Sequence, residues 1–391
     1  MEYKEIIPEK SIKYMKTVVA FSNCNGGRII FGIQDKTRKV TGINNDDIFS
    51  KIDAITNAIS DSCYPTIIPE ISLQTIDEKT VIVVEIPIGY QKPYYIKSLG
   101  IQQDVFIRVG ATTRLADDYM VKELIFEGEN RFFDQSLCYG MKIDQQDIEN
   151  LCLSLKQTAL HNCANDDERK NIKDITKNQL IKWGILIEKD GNLLPSNAFA
   201  LLTGNNCIPT KIQCGVFKGK TREIFVDRRE FEGSLQNQID EAYKYVLSKI
   251  NLGAKINGLY REDIYEIPES SIREIIVNSI AHRSYLDPGN IQIALYDDRL
   301  EVTSPGMLLQ GVTIEKMKEG YSKVRNRAIA SAFTYMRYIE EWGSGIPRIF
   351  AQFHKRGLKE PELIDLDGDF RVNFYRPTKD DLPSYKEGDQ W

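Results

Sequence analysis

Residues 273–285 read REIIVNSIAHRSY, and three side chains in this stretch carry chemistry at a regular interval: Glu274, Asn278 and His282. The spacing i, i+4, i+8 stacks them in one row on a helix. Ile275, Ile276, Ile280 and Ala281 offer an apolar side for packing. A carboxylate orients water and an amide oxygen ligates Mg²⁺; a solvent-facing polar stripe has the same spacing. Residues 340–350, EEWGSGIPRIF, set Gly343 and Gly345 ahead of the helical apolar pattern Ile346, Ile349, Phe350 and Phe353. Glycines at a helix start allow close backbone approach, and the amides there suit phosphate. Between Lys316 and Lys359 there are 10 Lys or Arg against 3 Glu, with Lys323, Arg325 and Arg327 inside the run SKVRNR. Such a basic segment can hold phosphate from ATP or nucleic acid; the alternative is a solvated loop offsetting acidic neighbours.

Several elements must position these groups. In residues 290–308, alternating Ile291, Ile293 and Leu295 predict a strand, Asp297-Asp298-Arg299 a turn, and Leu300 to Val302 the returning strand, broken at Ser304-Pro305-Gly306. Residues 211–219 and 223–227 read as a hairpin and 234–250 as an amphipathic helix with Leu235, Ile239, Ala242, Val246 and Ile250 inward. Residues 369–375 read as a closing strand with Phe370, Val372 and Phe374 alternating. Strands and helices mix without regular βαβ alternation, so the fold class expected is α+β. The middle segment, 136–205, is helical by pattern: Ile148, Leu151, Cys152 and Leu155 repeat at helical spacing, a second helix fits DITKNQLIKWGIL with Asp174 or Thr176 near its cap, and Asp190-Gly191 signals a hairpin. That is a winged-helix outline, which would present Lys173, Lys177, Gln179 and Lys182 to DNA, or a linking domain that packs its neighbours together. At the N-terminus, Ile12, Met15, Val18, Val19 and Phe21 form a helical stripe, Gly26-Gly27 permit a tight turn, Arg28 to Ile33 form a buried strand, and Asp35 sits in the following turn.

Two resemblances follow from these motifs. Residues 206–378 resemble the divergent GHKL-type ATP-binding domain, an α/β sandwich, in the branch often labelled "RecG-like". The resemblance implies that Glu274 activates water and Asn278 binds Mg²⁺ through the nucleotide. It further implies that Gly343, Ser344 and Gly345 contact phosphates and that Arg325-Asn326 belong to a lid. His282 contacts phosphate or caps the helix end. Ser304-Pro305-Gly306 stands where the family has D-x-G-x-G: Ser304 replaces the adenine-reading Asp, and one glycine is missing, although Gly306 remains. No P-loop G-x-x-x-x-G-K-[ST] occurs in the chain, so a helicase motor is not expected. Residues 1–135 resemble the Schlafen AlbA-type domain, through E-Y-K, then A-F-S-N-x-x-G-G-R-I-I-F-G-I-x-D, then V-x-G-I, and FIRVGATTR at 106–114. That family includes nucleic-acid-binding regulators and RNA-cutting nucleases. Its matching positions make Glu2, Lys4, Asn23, Arg28, Asp35, Arg108 and Arg114 the candidates for nucleic-acid contact or cleavage. Met1 alone precedes Glu2, so the first carboxylate of the nuclease pattern is missing, and metal-dependent hydrolysis needs several oxygen ligands.

The domains expected are therefore 1–135, a middle domain over 136–205, 206–378, and a mobile polar tail at 379–391. The reading is a nucleic-acid-binding transcriptional regulator that senses ATP with Mg²⁺, with at most weak ATPase activity. It acts on DNA in preference to RNA and pairs as a homodimer, as both resembled families do. The alternatives are a metal-dependent nuclease in a defence role and a degenerate ATPase fold kept as a dimer scaffold. Composition is that of an ordinary soluble protein, 42% hydrophobic and 27% charged. Its net charge of −5 argues against nonspecific DNA coating. No apolar run reaches a membrane span and the start lacks a signal-peptide core. Seven Cys without a C-x-x-C argue against a disulfide frame or a zinc site, which fits free thiols in the cytoplasm.

Overall fold

The computed structural model describes residues 1–377 apart from 45, 99, 102, 103, 258, 259, 310, 341, 342 and 367, and the backbone alone over 254–263. The tail expected at 379–391 lies outside the described residues. The chain divides into two compact units, Met1–Arg131 and Phe132–Trp391.

The first unit runs β1 (Glu2–Lys4), α1 (Ile12–Asn23), β2 (Gly27–Phe31), α2 (Ile48–Ser62), β3 (Cys63–Tyr64), β4 (Glu70–Ile76), β5 (Lys79–Ile86), β6 (Tyr95–Ile96), β7 (Phe106–Val109), β8 (Thr112–Leu115) and α3 (Asp118–Gly128). Four strands form a sheet in the order β1-β2-β5-β4, with β1 and β2 parallel and the other neighbours antiparallel. Alternation sends Ile29, Phe31, Ile82 and Val84 to one face, where they pack on Met15, Val18 and Val19 of α1 and Ile55 and Ile59 of α2. Each such buried side chain contributes about 1.5–3 kcal/mol. Of the apolar stripe read in α1, Ile12 alone stays exposed, in the first turn. The helix ends in a turn that only glycine permits: Gly26 has φ +71°, and a Cβ on Gly27 would lie 2.6 Å from the Phe21 ring.

The second unit opens with a short 3₁₀ turn (Phe133–Gln135), then α4 (Gln145–His161), α5 (Asp166–Lys170), α6 (Lys177–Trp183), β9 (Leu186–Lys189), β10 (Asn192–Pro195) and α7 (Asn197–Thr203). The Thr176 side chain caps α6, and Asp190 and Gly191 both adopt positive φ, as a two-residue hairpin demands. The chain continues through β11 (Ile212–Phe217), β12 (Phe225–Phe231), α8 (Leu235–Lys249), β13 (Leu252–Asn257), β14 (Tyr260–Tyr265), α9 (Glu269–His282), β15 (Ile291–Leu295), β16 (Arg299–Pro305), α10 (Ile314–Lys318), α11 (Arg327–Tyr335), α12 (Gly345–Lys355), β17 (Glu362–Leu366) and β18 (Asp369–Tyr375). A six-stranded sheet has the order β12-β11-β15-β16-β18-β17, with β11 and β15 parallel. This is a mixed α+β architecture, as the irregular alternation of elements predicts. Ile293, Val302 and Phe374 turn to the helices α8, α9 and α12. Ile148, Leu155, Leu180, Phe199 and Leu202 join the same core, so residues 136–205 pack into the unit that holds the six-stranded sheet. On the opposite face, Arg222 donates to the Tyr296 hydroxyl at 2.9 Å and to Glu301 at 2.7 Å. Arg299 and Arg371 complete the pairing of that buried carboxylate.

One buried acid holds the start of the second unit to this frame. Asn326 is the N-cap residue of α11 but makes no side-chain cap bond; instead Asp134, fully buried in the 3₁₀ turn, accepts from the Ile329 amide at 3.0 Å. Burial pushes Asp134 up to about 6, against the pull of the helix amides. Asp134→Ala is expected to destabilise the second unit by about 1–2 kcal/mol in urea unfolding. The unfolded carboxyl ionises near 3.8 and the folded one near 6, so the stability that Asp134 brings is full below the first value and lost as pH rises through the second. Wild type should therefore lose stability relative to Asp134→Asn across that window, and parallel curves would contradict this account.

Candidate nucleotide cavity

Helix α9 is amphipathic because its two sides meet different surroundings. Ile272, Ile275, Ile276 and Ile280 are buried, while Glu274, Asn278 and His282 line a cavity of about 600 Å³, walled also by Val302 and Ser304 of β16, Phe370 and Val372 of β18, and residues 306–309 and 321–325. The structure thus brings the predicted row together and turns it to one cavity. The Asn278 amide donates to Glu274 Oε1 at 3.2 Å. Burial pushes the Glu274 carboxyl above the ordinary value, opposed by the Arg348 guanidinium and this amide.

The glycine-rich start of α12 meets the same carboxylate. A Cβ on Gly345 would lie 2.0 Å from Glu274 Oε1, and one on Gly343, which has φ +65°, would lie 2.1 Å from the Gly320 carbonyl oxygen. Both glycines line the cavity. Ser344, between them, is not among its lining residues: its hydroxyl donates to Glu340 at 2.8 Å and accepts from Arg348 at 3.2 Å.

The other predicted residues divide by burial. Ser304 lines the cavity floor and donates its proton to the Ser279 carbonyl at 2.8 Å. Gly306, with φ +114°, brings the chain against the Ser284 amide, 3.0 Å from where a Cβ would sit. Arg325 lines the cavity and donates to the Met307 carbonyl. Asn326 is buried away from the lining; its amide donates to the carbonyls of Ala281 at 2.9 Å and Arg283 at 2.8 Å, which brackets the end of α9. His282 is exposed to the cavity. Burial, and then the Arg325 guanidinium, lower it to about 4, against a main-chain hydrogen bond at Lys323. It is a neutral imidazole on the cavity wall at neutral pH, and the helix-capping work falls to Asn326. The sequence reading missed Trp183 and Tyr335, which line the cavity with ring centroids 5.8 Å apart. No local pattern brings α6 to α11.

In the first unit, Glu2, Lys4 and Arg108 meet. The Glu2 carboxylate accepts from Arg108 at 3.0 Å and from Thr17 at 3.1 Å, and pairs with Lys4 at 3.1 Å. Asn23 is buried; its amide donates to the carbonyls of Tyr94 at 2.8 Å and Phe106 at 2.9 Å and its oxygen accepts from the Tyr94 amide at 2.7 Å, which ties α1 to the segment before β6 and to the start of β7. Arg28 pairs with Glu85 and Asp35 with Arg38, both at the surface, and Arg114 is exposed on β8. Among the described residues, no group of three or more His, Cys, Asp or Glu is placed to hold a metal ion.

Comparison with known proteins matches residues 1–117 to the family described as Schlafen, AlbA_2, and residues 289–374 to the family described as "Putative ATP-dependent DNA helicase recG C-terminal". The chain carries both domains. The second match starts after α9, so it takes in Ser304, Arg325 and the glycines but not Glu274, Asn278 or His282. An "Uncharacterized ATP-binding protein" of Ureaplasma parvum is 36% identical over 84 residues, 21% of this chain and 23% of that relative's length. The DIP2311 protein from Corynebacterium diphtheriae has a similar fold over 97% of this chain and 76% of its own, with TM-score 0.50 and 19% identity. The N-terminal domain of a RecG-related protein from Nitrosomonas europaea aligns with 30% of this chain and 82% of its own at 22% identity, with TM-score 0.23. Among the described residues, no helix is long and apolar enough to cross a membrane.

The chain has three histidines, so His282 can be followed by NMR titration. Its midpoint is expected near 4, and Arg325→Gln should raise it. A wild-type midpoint in the usual histidine range would show that Arg325 and the cavity wall do not enclose the ring.

Proposed function

We propose that the second unit binds ATP in this cavity and that the first unit binds nucleic acid, DNA in preference to RNA. The chain is then a transcriptional regulator that responds to nucleotide, and in this reading it works as a homodimer. The convergence of Glu274 and Asn278 with the backbone of Gly343 and Gly345 on one cavity carries the reading: a carboxylate, an amide and main chain at a helix start are the groups that handle a triphosphate. The matched ATP-dependent helicase C-terminal family and the ATP-binding Ureaplasma relative support the choice of ATP.

The donor set fits Mg²⁺ brought with the nucleotide. The Asn278 amide nitrogen is committed to Glu274, which leaves its oxygen as the cation ligand. A bound Mg²⁺ would supply charge neutralisation for the phosphates. Arg325 and Lys323 lie along the cavity wall for the same anion. Glu274, with its raised proton affinity, accepts a proton from water. Hydrolysis is slow in this reading, because Ser304 stands in place of a carboxylate. Its only proton is given to Ser279, so it accepts from a base amine but fixes the ring weakly.

Cleavage of nucleic acid is disfavoured by the first unit's charges. Before Glu2 could ligate a metal it would have to leave Arg108 and Lys4. Exposed Arg114, with Lys13 and Lys16 on the outer side of α1, suits phosphate contact instead.

Calorimetric titration of ATP with Mg²⁺ tests the proposal. Wild type should bind; Asn278→Ala should lose at least tenfold in affinity when Mg²⁺ is present; Glu274→Ala should bind and abolish any phosphate release. Equal affinity in wild type and Asn278→Ala would sink the assignment. Absence of binding in wild type would leave the second unit as a scaffold.

A further inference from the structure

The four-stranded sheet of the first unit has two edges, and they are protected unequally. Edge strand β1 is three residues long and carries the paired charges Glu2 and Lys4. Edge strand β4 is seven residues long, and from Ile71 to Ile76 (ISLQTI) it contains no charge, no Pro and no Gly. Leu73 is 39% and Ile76 36% exposed, and Ile68 just before the strand is 74% exposed. Among the described residues, no strand pairs with the outer side of β4. The edges of the six-stranded sheet differ again: β12 carries Asp227, Arg228, Arg229 and Glu230, and β17 carries Glu362 and Asp365. Soluble proteins block open edges with charges, Pro, bulges or covering segments. β4 has none of these over six residues, which fits an edge that is covered.

We propose that β4 pairs antiparallel with β4 of a second copy of this chain, about a two-fold axis at Leu73, to form the homodimer as one continuous sheet. The sequence of the strand suits this partner and this register. With Leu73 opposite Leu73, Ser72 faces Gln74, Ile71 faces Thr75 and Glu70 faces Ile76, so no like charges oppose each other. A centre at residue 72 or 74 brings Pro69 or Asp77 opposite a strand residue. Pro69 has no amide to give the ladder, and Asp77 and Glu78 already turn with φ +48° and +60°. Ile71 packs at the margin of the core beneath the sheet, and Leu73 points to the same face by alternation. Pairing therefore joins the two cores edge to edge and buries the half-exposed leucines on each other.

The inference gives a surface to the homodimer of the proposed function and does not depend on nucleotide binding. Sedimentation of the full chain at micromolar concentration tests it. Wild type should sediment at twice the 44.8 kDa chain mass. Ser72→Glu combined with Gln74→Glu, both at exposed positions, sets carboxylates opposite each other and should weaken self-association at least tenfold. Ser72→Glu combined with Gln74→Lys sets opposite charges across the same pairs and should restore the dimer. In wild type, hydrogen exchange at β4 should speed up on dilution. A monomeric wild type overturns both this inference and the homodimer. A dimer indifferent to the charge pairs, with exchange at β4 independent of concentration, overturns the β4 seam alone and leaves the dimer standing.

Discussion

The carbonyl groups at the end of α9 have no partners within the helix, and the way they are satisfied shapes the second unit. Ser304 of β16 donates to Ser279. The Tyr285 hydroxyl donates to Ile280 at 3.1 Å. Asn326, at the start of α11, donates to Ala281 and Arg283. A strand of the floor, the chain just past the helix and the far end of the basic segment thus converge on one helical turn. The cavity lies between these attachments. Its walls are fixed where they reach α9.

The same accounting explains which parts of the site were legible in the sequence. The row Glu274, Asn278, His282 could be read because helical spacing is local and the opposite side is isoleucine-rich. The glycines could be read because close backbone approach excludes a Cβ, and the structure names what approaches: a carboxylate at Gly345 and a carbonyl at Gly343. Asn326 was read as part of a lid over the ligand because the resembled family has an Arg-Asn pair there. Its actual work depends on a helix end 43 residues earlier in the chain, which no spacing rule reports. Trp183 and Tyr335 were missed for the same reason. Strands and helices were read well where periodicity was clean, as in β18 and α8. The packing of residues 136–205 into the sheet-bearing unit was not readable, because a helix stripe shows that it is covered but not by what.

In the first unit the long-range partner is Arg108. It closes the loop between β7 and β8, donating to Thr113 at 3.0 Å and to the Ala111 carbonyl at 2.6 Å, while its guanidinium neutralises Glu2 and lies 5.1 Å from the centre of the Phe21 ring. One side chain thus joins β1, α1 and the β7–β8 hairpin. A group so fully engaged is better suited to holding a surface in shape than to releasing a carboxylate for metal chemistry.

The parallel pair β11 and β15 sets the order in which the second unit can assemble. Ile212 lies beside Ile291, and the chain between them must first make β12, α8, a hairpin and α9. β18, between β16 and β17 in the interior of the sheet, comes last of all. The cavity floor rests on contacts of large sequence separation, whose loop-closure cost slows folding. The first unit is finished within 131 residues. During synthesis it is complete while the floor of the second unit is still an open sheet. The chain therefore spends an interval with its N-terminal unit formed and its ligand cavity not yet built.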